Sequence, residues 1–296
     1  VEGEVLNLHQ PITKAFSVAA LFGLVFAPPK GPSEIKTAVA SEGQAAVLSH
    51  AATARPPAAA LADQAPPLER RGPCDPGMLL IEGDYCPDAE HVCLRWLDPP
   101  PYQKLRCGEY EKPAKCKGPR QKKRFCIDRE EYAEPSPSGD PKDAVPVVNK
   151  NWLEAQALCK ARGARLCKES EWEFACEGPE MSPYPYGWKR DSTICNLDRT
   201  DLGGPMEKLK DHRAPLGAFP ECKSPFGVHN MVGNVDEWVE RENMAPPMRS
   251  ALRGGWWLPG RNRCRAATTA HGEDYSGKQV GFRCCKDAPP ETADGT

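Results

Sequence analysis

Two stretches of the chain carry helical spacing. Across residues 151 to 162, Trp152, Ala155, Leu158, Cys159 and Arg162 recur at helical intervals, and Gly163 can end the run. Asn151 can cap its first turn, with Glu154 three residues later completing a capping box. Trp172, Ala175 and Cys176 mark a second, shorter helix that stops at Gly178. MLLIE at 78 to 82 and KRFCIDREEY at 123 to 132 read as strands. Between them, residues 86 to 116 are rich in Pro and Cys and are expected to be loop, stapled by disulfides, with no regular structure. Past Gly178 the chain is punctuated by Gly, Pro, Asn and Asp, which predicts long loops joined by short strands. No internal repeat is visible.

The N-terminal quarter follows a different pattern. Residues 15 to 27, AFSVAALFGLVFA after Lys14, form an apolar run of thirteen, short of the roughly 20 that a membrane-spanning helix needs. The run suits the core of a secretion signal. Pro28 and Pro29 discourage cleavage directly after it, and the small triplet Ala38, Val39, Ala40 lies well downstream, so a short N-terminal membrane anchor is the alternative. Residues 28 to 73 are dominated by Ala, Pro and Ser without periodicity, a linker composition or simply a disordered extension. The expected organisation is therefore a signal or anchor (1–27), a disordered linker (28–73), one domain (74–286) with the Cys-rich insertion, and a disordered tail (287–296).

Charge and cysteine usage narrow the setting. A formal net charge of −2 gives no reason to expect nucleic acid or an anionic membrane as the general partner. Six positive charges fall within ten residues at 115 to 124, KCKGPRQKKR, and are read as a solvated loop bounded by disulfides. All fourteen cysteines lie beyond residue 73, a density that belongs to an oxidising compartment, periplasmic or secreted. Zinc is the competing use, but no CxxC pair occurs.

Three phrases in the last seventy residues carry a family signature. They are GVHNMVGNVDEW at 227 to 238, the triplet Arg253, Gly254, Gly255, and GFRCC at 281 to 285. Their order resembles the formylglycine-generating enzyme (sulfatase-modifying factor) family, whose members oxidise a cysteine of a client sulfatase. ARLCKESEWEFACEG at 164 to 178 is similar to the family's RLPTEAEWE phrase, with Cys167 in place of Pro and Lys168 in place of the Thr that would cap the helix. The resemblance runs from about Met78 to Cys285. It implies a loop-rich α+β fold related to the C-type lectin fold and stapled by disulfides.

The resemblance also implies sites. Calcium wants six to eight oxygens, and Asn230, Gly233, Val235 and Glu237 can offer side-chain and carbonyl oxygens from one compact loop. The family places a calcium ion at the matching positions; the alternative is a tight turn packed by Trp238, with Glu237 hydrogen-bonded to backbone. A second calcium site is implied at Asn196 and Leu197, after YPYG at 184 to 187, with Asp198, Glu207 or Asp211 as the carboxylate, or else an ordinary turn. The family's structural cysteines imply Cys159 with Cys284 and Cys176 with Cys264. Cys167 with Cys285 and Cys195 with Cys222 are the expected remainder of this half; the six cysteines from Cys74 to Cys126 allow fifteen pairings.

The reactive position is where the chain departs. Enzymes of the family carry two cysteines after the RGG triplet, because a cuprous ion takes thiolate ligands. Here the stretch reads WWLPGRNRC, with no cysteine between Gly255 and Cys264, and Cys264 matches a structural cysteine. No copper is expected, and formylglycine generation by the known mechanism is excluded. The iron-binding HxxxHxE arrangement of related sulfoxide synthases is also absent from the six histidines. His229 and His271 stay unassigned. Trp256 and Trp257 can form a ligand groove, or fill the space left by the shortened segment. The reading is a noncatalytic pseudoenzyme domain that binds a protein, peptide or glycan or serves as a structural part. The alternative is an oxidoreductase of the same superfamily with altered metal chemistry, acting on a protein or small-molecule thiol.

Overall fold

The computed structural model describes residues 72–205 and 208–290. The apolar run at 15–27, all but the end of the predicted linker, Glu207 and residues 291–296 lie outside that range. Among the described residues no helix is long and apolar enough to cross a membrane.

The chain enters through β1 (Met78–Tyr85) and crosses the Cys-rich insertion as four short strands: β2 (Ala89–Glu90), β3 (Cys93–Trp96), β4 (Cys107–Tyr110) and β5 (Lys115–Cys116). It returns on β6 (Gln121–Asp128), antiparallel to β1 along its whole length. Two expectations are corrected here. The insertion is not loop throughout, since β2 pairs with β5 and β3 with β4, and the disulfides Cys86–Cys116 and Cys93–Cys107 close the same two ladders. Gln121 to Arg124, the end of the basic cluster, lie on β6, where Arg124 faces Glu82 and Lys122 faces Asp84 across the ladder. Opposite charges on neighbouring strands let a polar sequence form a strand at a solvated edge.

Helix α1 (Trp152–Ala161) starts where its capping box predicts. The Asn151 side chain accepts from the Glu154 amide at 2.8 Å, and Glu154 accepts from the Asn151 amide at 2.9 Å. Trp152, Ala155 and Cys159 form its buried face. After β7 (Arg165–Leu166) comes α2 (Glu169–Glu177), nearly all of it buried. Lys168 offers its first turn no acceptor; Glu171 supplies the reciprocal half of a box by accepting from the Lys168 amide at 2.9 Å. A long loop region then leads to β8 (Asp236–Glu240), β9 (Ser250–Arg253), β10 (Ala267–Thr268), β11 (Val280–Phe282) and β12 (Cys284–Asp287), the last reaching one residue past the predicted domain end.

These strands make two four-stranded sheets, ordered β1-β6-β12-β7 and β10-β9-β8-β11, with β11 parallel to β8. The fold is a loop-rich α+β arrangement stapled by disulfides. One core cluster packs Ile81, Phe125, Trp172, Phe174, Met231 and Val239; another packs Trp152, Leu166, Trp238, Leu252 and Phe282. Cys284 and Cys285 sit side by side on β12 and bond to Cys159 of α1 and Cys167 after β7. Cys176 of α2 bonds to Cys264, Cys195 to Cys222, and Cys74 to Cys126. The C-terminal strands are thus tied covalently to both helical segments.

Candidate functional site

The phrase GVHNMVGNVDEW folds as a tight loop running into β8. Asn230, Gly233 and Asn234 all take left-handed backbone angles (φ 55°, 78° and 56°), which Asn and Gly tolerate best. Gly233 is required, because a Cβ there would collide with the carbonyl oxygen of Asn196. Asn234 is the hub. Its Nδ2 donates to both oxygens of Glu131 at 3.0 and 2.9 Å, and its Oδ1 accepts from the Ala214 amide and from Asn196 Nδ2. Burial, reinforced by the Glu237 charge, pushes the Glu131 carboxyl well above the usual range.

Whether these residues fit calcium turns on Glu237. Its carboxylate is fully buried and forms an ion pair with the equally buried Arg283. Arg283 Nη2 donates to Oε1 at 2.6 Å and Nε to Oε2 at 2.7 Å, while Trp172 Nε1 also donates to Oε2 at 2.7 Å. A divalent ion on this carboxylate would sit beside a fixed guanidinium, in surroundings that screen repulsion poorly. The expected set of Asn230, Gly233, Val235 and Glu237 does not fit calcium in this arrangement, and the Glu237 charge is met by an arginine. Asn230 Nδ2 donates to the Leu216 carbonyl at 3.3 Å.

The second expected set fits no better. Asn196 Oδ1 accepts from Arg199 Nε at 2.8 Å, and its Nδ2 donates to the His212 carbonyl at 2.7 Å. Leu197 is buried in the core. Of the candidate carboxylates, Asp198 is held by Arg190 and Arg106, Asp211 is held by Arg213, and Glu207 is outside the described residues. Arginines again occupy the oxygens that a cation would need.

The RGG triplet leaves β9 and passes beneath the loop just described. Gly254 (φ 86°) has no room for a side chain, since a Cβ would lie 2.6 Å from the Met231 carbonyl. Arg253 is buried beside α2, paired with Glu169 and, at 2.7 Å, with Glu173. The segment that follows is clamped at both ends. Asn262 Nδ2 donates to the Trp256 carbonyl at 2.5 Å, Arg190 holds Asn262, and Cys264 is locked to Cys176. No thiol lies on it, and no cysteine is free among the described residues, which hold all fourteen.

The expected groove is corrected by half. Trp257 is fully buried and fills core space, packed edge-on against Trp256 with ring centres 4.9 Å apart. Trp256 remains half-buried and walls a pocket of about 100 Å³ together with Asp236, Gly255, Arg261, Asn262 and Thr268. Burial pushes the Asp236 carboxyl up to about 7, an amide donated by Gly255 opposes this, and the Glu237 charge adds to it. Neither Asp236 nor Arg261 was marked by sequence reasoning. Asp236 opens β8, which reads Asp, Glu, Trp, Val, Glu, so no pattern along the strand singles it out.

A separate cleft of about 550 Å³ opens beside Asp128, Glu130, Glu131 and Arg162. His229 Nδ1 lies 2.8 Å from Glu130 Oε1, and His271 stacks on Tyr275. Neither histidine lines the Trp256 pocket.

Comparison with known proteins agrees with the phrases that built this site. The chain is 34% identical over 157 residues to the inactive C-alpha-formylglycine-generating enzyme 2 of Bos taurus, a match covering 49% of this chain and 52% of that protein. It is 29% identical over 181 residues to the formylglycine-generating enzyme of Mus musculus, covering 50% and 46%. The chain spans about half the length of the curated relatives it matches. Among solved structures, PvdO from Pseudomonas aeruginosa aligns over 71% of this chain and 94% of its own, at 17% identity and a TM-score of 0.47. The family model described as the sulfatase-modifying factor enzyme 1-like domain matches residues 104–288, more than half of the chain, and the chain belongs to that family.

Proposed function

We propose that this chain is an extracytoplasmic, formylglycine-generating-enzyme-like domain that does not generate formylglycine and acts as a binding or structural module. One observation carries the reading: the segment from Gly255 to Cys264 holds no thiol, and the cysteine that ends it is committed to Cys176. Copper-dependent oxidation by this family needs two thiolates on one soft ion. With every cysteine in a disulfide, neither is available. The Bos taurus and Mus musculus relatives named inactive support the same direction. Seven disulfides support an oxidising compartment, periplasmic or secreted.

A module of this kind would bind a protein, peptide or glycan, and the Trp256 pocket is the place on the family framework where a small group of such a ligand could enter. An oxidoreductase with altered metal chemistry would have to work without a free thiol. The test is incubation of the purified protein with cuprous ion, oxygen and a synthetic peptide bearing a sulfatase-type cysteine, with an active formylglycine-generating enzyme run in parallel. Mass spectrometry should find this peptide unconverted and the control peptide converted. Turnover of the cysteine by this chain would overturn the proposal.

A further inference from the structure

Four acids buried on α2 and β8 are met by arginines. Glu171 pairs with Arg165, Glu173 with Arg253, Glu177 with Arg265 and Glu237 with Arg283. Asp236, the neighbour of Glu237 on β8, is treated differently. Its carboxylate accepts from the Gly255 amide, and Arg261 acts on it through charge alone, without an ion pair. Where the other acids have a guanidinium, Asp236 has the pocket walled by Trp256. A carboxylate held out of water without a counter-cation is costly, so the pocket suits a cation brought by a ligand.

The pocket is built before any ligand arrives. Gly255 (φ 72°) has no room for a side chain, since a Cβ would lie 2.7 Å from Asn262 Nδ2. Asn262 Nδ2 donates to the Trp256 carbonyl at 2.5 Å, and Asn262 Oδ1 accepts from Arg190 Nη2 at 2.9 Å, so both polar ends of this amide are used within the wall. Thr268 lines the pocket from β10, in register with Leu252 of β9. Arg261 is exposed, and its Nη2 donates to the Ala267 carbonyl at 3.3 Å. What remains for a ligand is the Asp236 carboxylate, the Thr268 hydroxyl and an indole.

Size and donor geometry choose the cation. Sites that enclose whole small molecules run to roughly 300–1,000 Å³. At about 100 Å³ this pocket holds about three water volumes, the space of an ammonium and its last methylenes and not of a sugar ring. A guanidinium is a planar fork that wants both oxygens of a carboxylate, and Asp236 already serves the Gly255 amide. A primary ammonium is a compact point charge with three donors, able to meet Asp236 and Thr268 while lying against the indole. Its aliphatic stem gives Trp256 an apolar surface to cover. On the reading of this pocket as the ligand's point of entry, we infer that it takes the side-chain ammonium of a lysine on a partner polypeptide, with Asp236 as the counter-charge.

The test titrates the whole purified protein at pH 8, above the value of about 7 to which burial pushes the Asp236 carboxyl, and follows the Trp256 indole N–H resonance. The probe is Nα-acetyl-lysine methylamide. Acetylating its Nε removes the charge and keeps the stem, and glucosamine carries an amine on a sugar ring. The resonance should move with the first compound and stay still with the other two. Asp236→Asn should weaken binding about tenfold or more, with an unfolding midpoint no lower than the parent's. Arg261→Gln removes a repelling exposed charge and should strengthen binding about twofold. No movement with the lysine compound, equal movement with its acetylated form or with glucosamine, or undiminished binding by Asp236→Asn would overturn the proposal. Such a failure leaves the noncatalytic reading standing, because that reading is tested by conversion of the cysteine peptide and not by this resonance.

Discussion

Glu237 and Arg283 are both fully buried, and each is the other's counter-charge. Removing one partner of such a pair leaves an uncompensated charge in the core and costs about 3–5 kcal/mol. Arg283→Met should therefore lower the unfolding free energy by about that amount in urea titration, whereas a calcium chelator should leave the wild-type melting temperature unchanged. A chelator-induced drop would restore the calcium reading of Asn230, Gly233, Val235 and Glu237. Asp236 behaves differently, because its carboxyl is pushed up to about 7 from an ordinary value of 3.8. The folded state then binds a proton more tightly than the unfolded chain, so this group's contribution to stability falls as pH rises from about 4 to about 7. Asp236→Asn should flatten that decline relative to the parent, making the variant the more stable protein at pH 8 by about 1 kcal/mol or more. Parallel stability-versus-pH curves for the two proteins would show that the Asp236 carboxyl is not raised in the folded state.

The two helices test how far local sequence sets an element. The cap of α1 was legible because Asn151 and Glu154 are three residues apart and act only on each other. Asn151→Ala should cost about 1 kcal/mol. The first turn of α2 lacks a side-chain acceptor at Lys168, so Lys168→Ser should stabilise the protein by about 0.5–1 kcal/mol in the same assay. Equal effects of the two changes on stability would mean that packing, and not capping, fixes these ends. The insertion was less legible, because β2, β3, β4 and β5 are only two to four residues long and take their order from cross-strand disulfides instead of from any alternation of side chains. Strand β6 shows the same limit. Its basic first half is stabilised by acids on β1 some forty residues earlier.

At the scale of the whole molecule, the motifs that identify the family are contiguous phrases and could be read directly. The chemistry of the site could not, because it is made by residues far apart in the chain: Arg283 meets Glu237 across 46 positions and Asn234 meets Glu131 across 103. Trp257 shows why one aromatic pair resisted assignment, since its neighbour Trp256 faces a pocket while it fills the core. What unifies these features is the use of sulfur. Of the seven disulfides, three spanning 88 to 125 residues tie the C-terminal segment to the two helical segments, and each long loop closed is worth up to about 4–5 kcal/mol in the chain-entropy model. The same cysteines that stabilise the domain are all committed to disulfides. The most direct test is a thiol count with disulfide mapping by mass spectrometry on denatured, unreduced protein. All fourteen cysteines should be paired, with Cys176 bonded to Cys264. Two free thiols, or a Cys264 bonded elsewhere, would contradict the account.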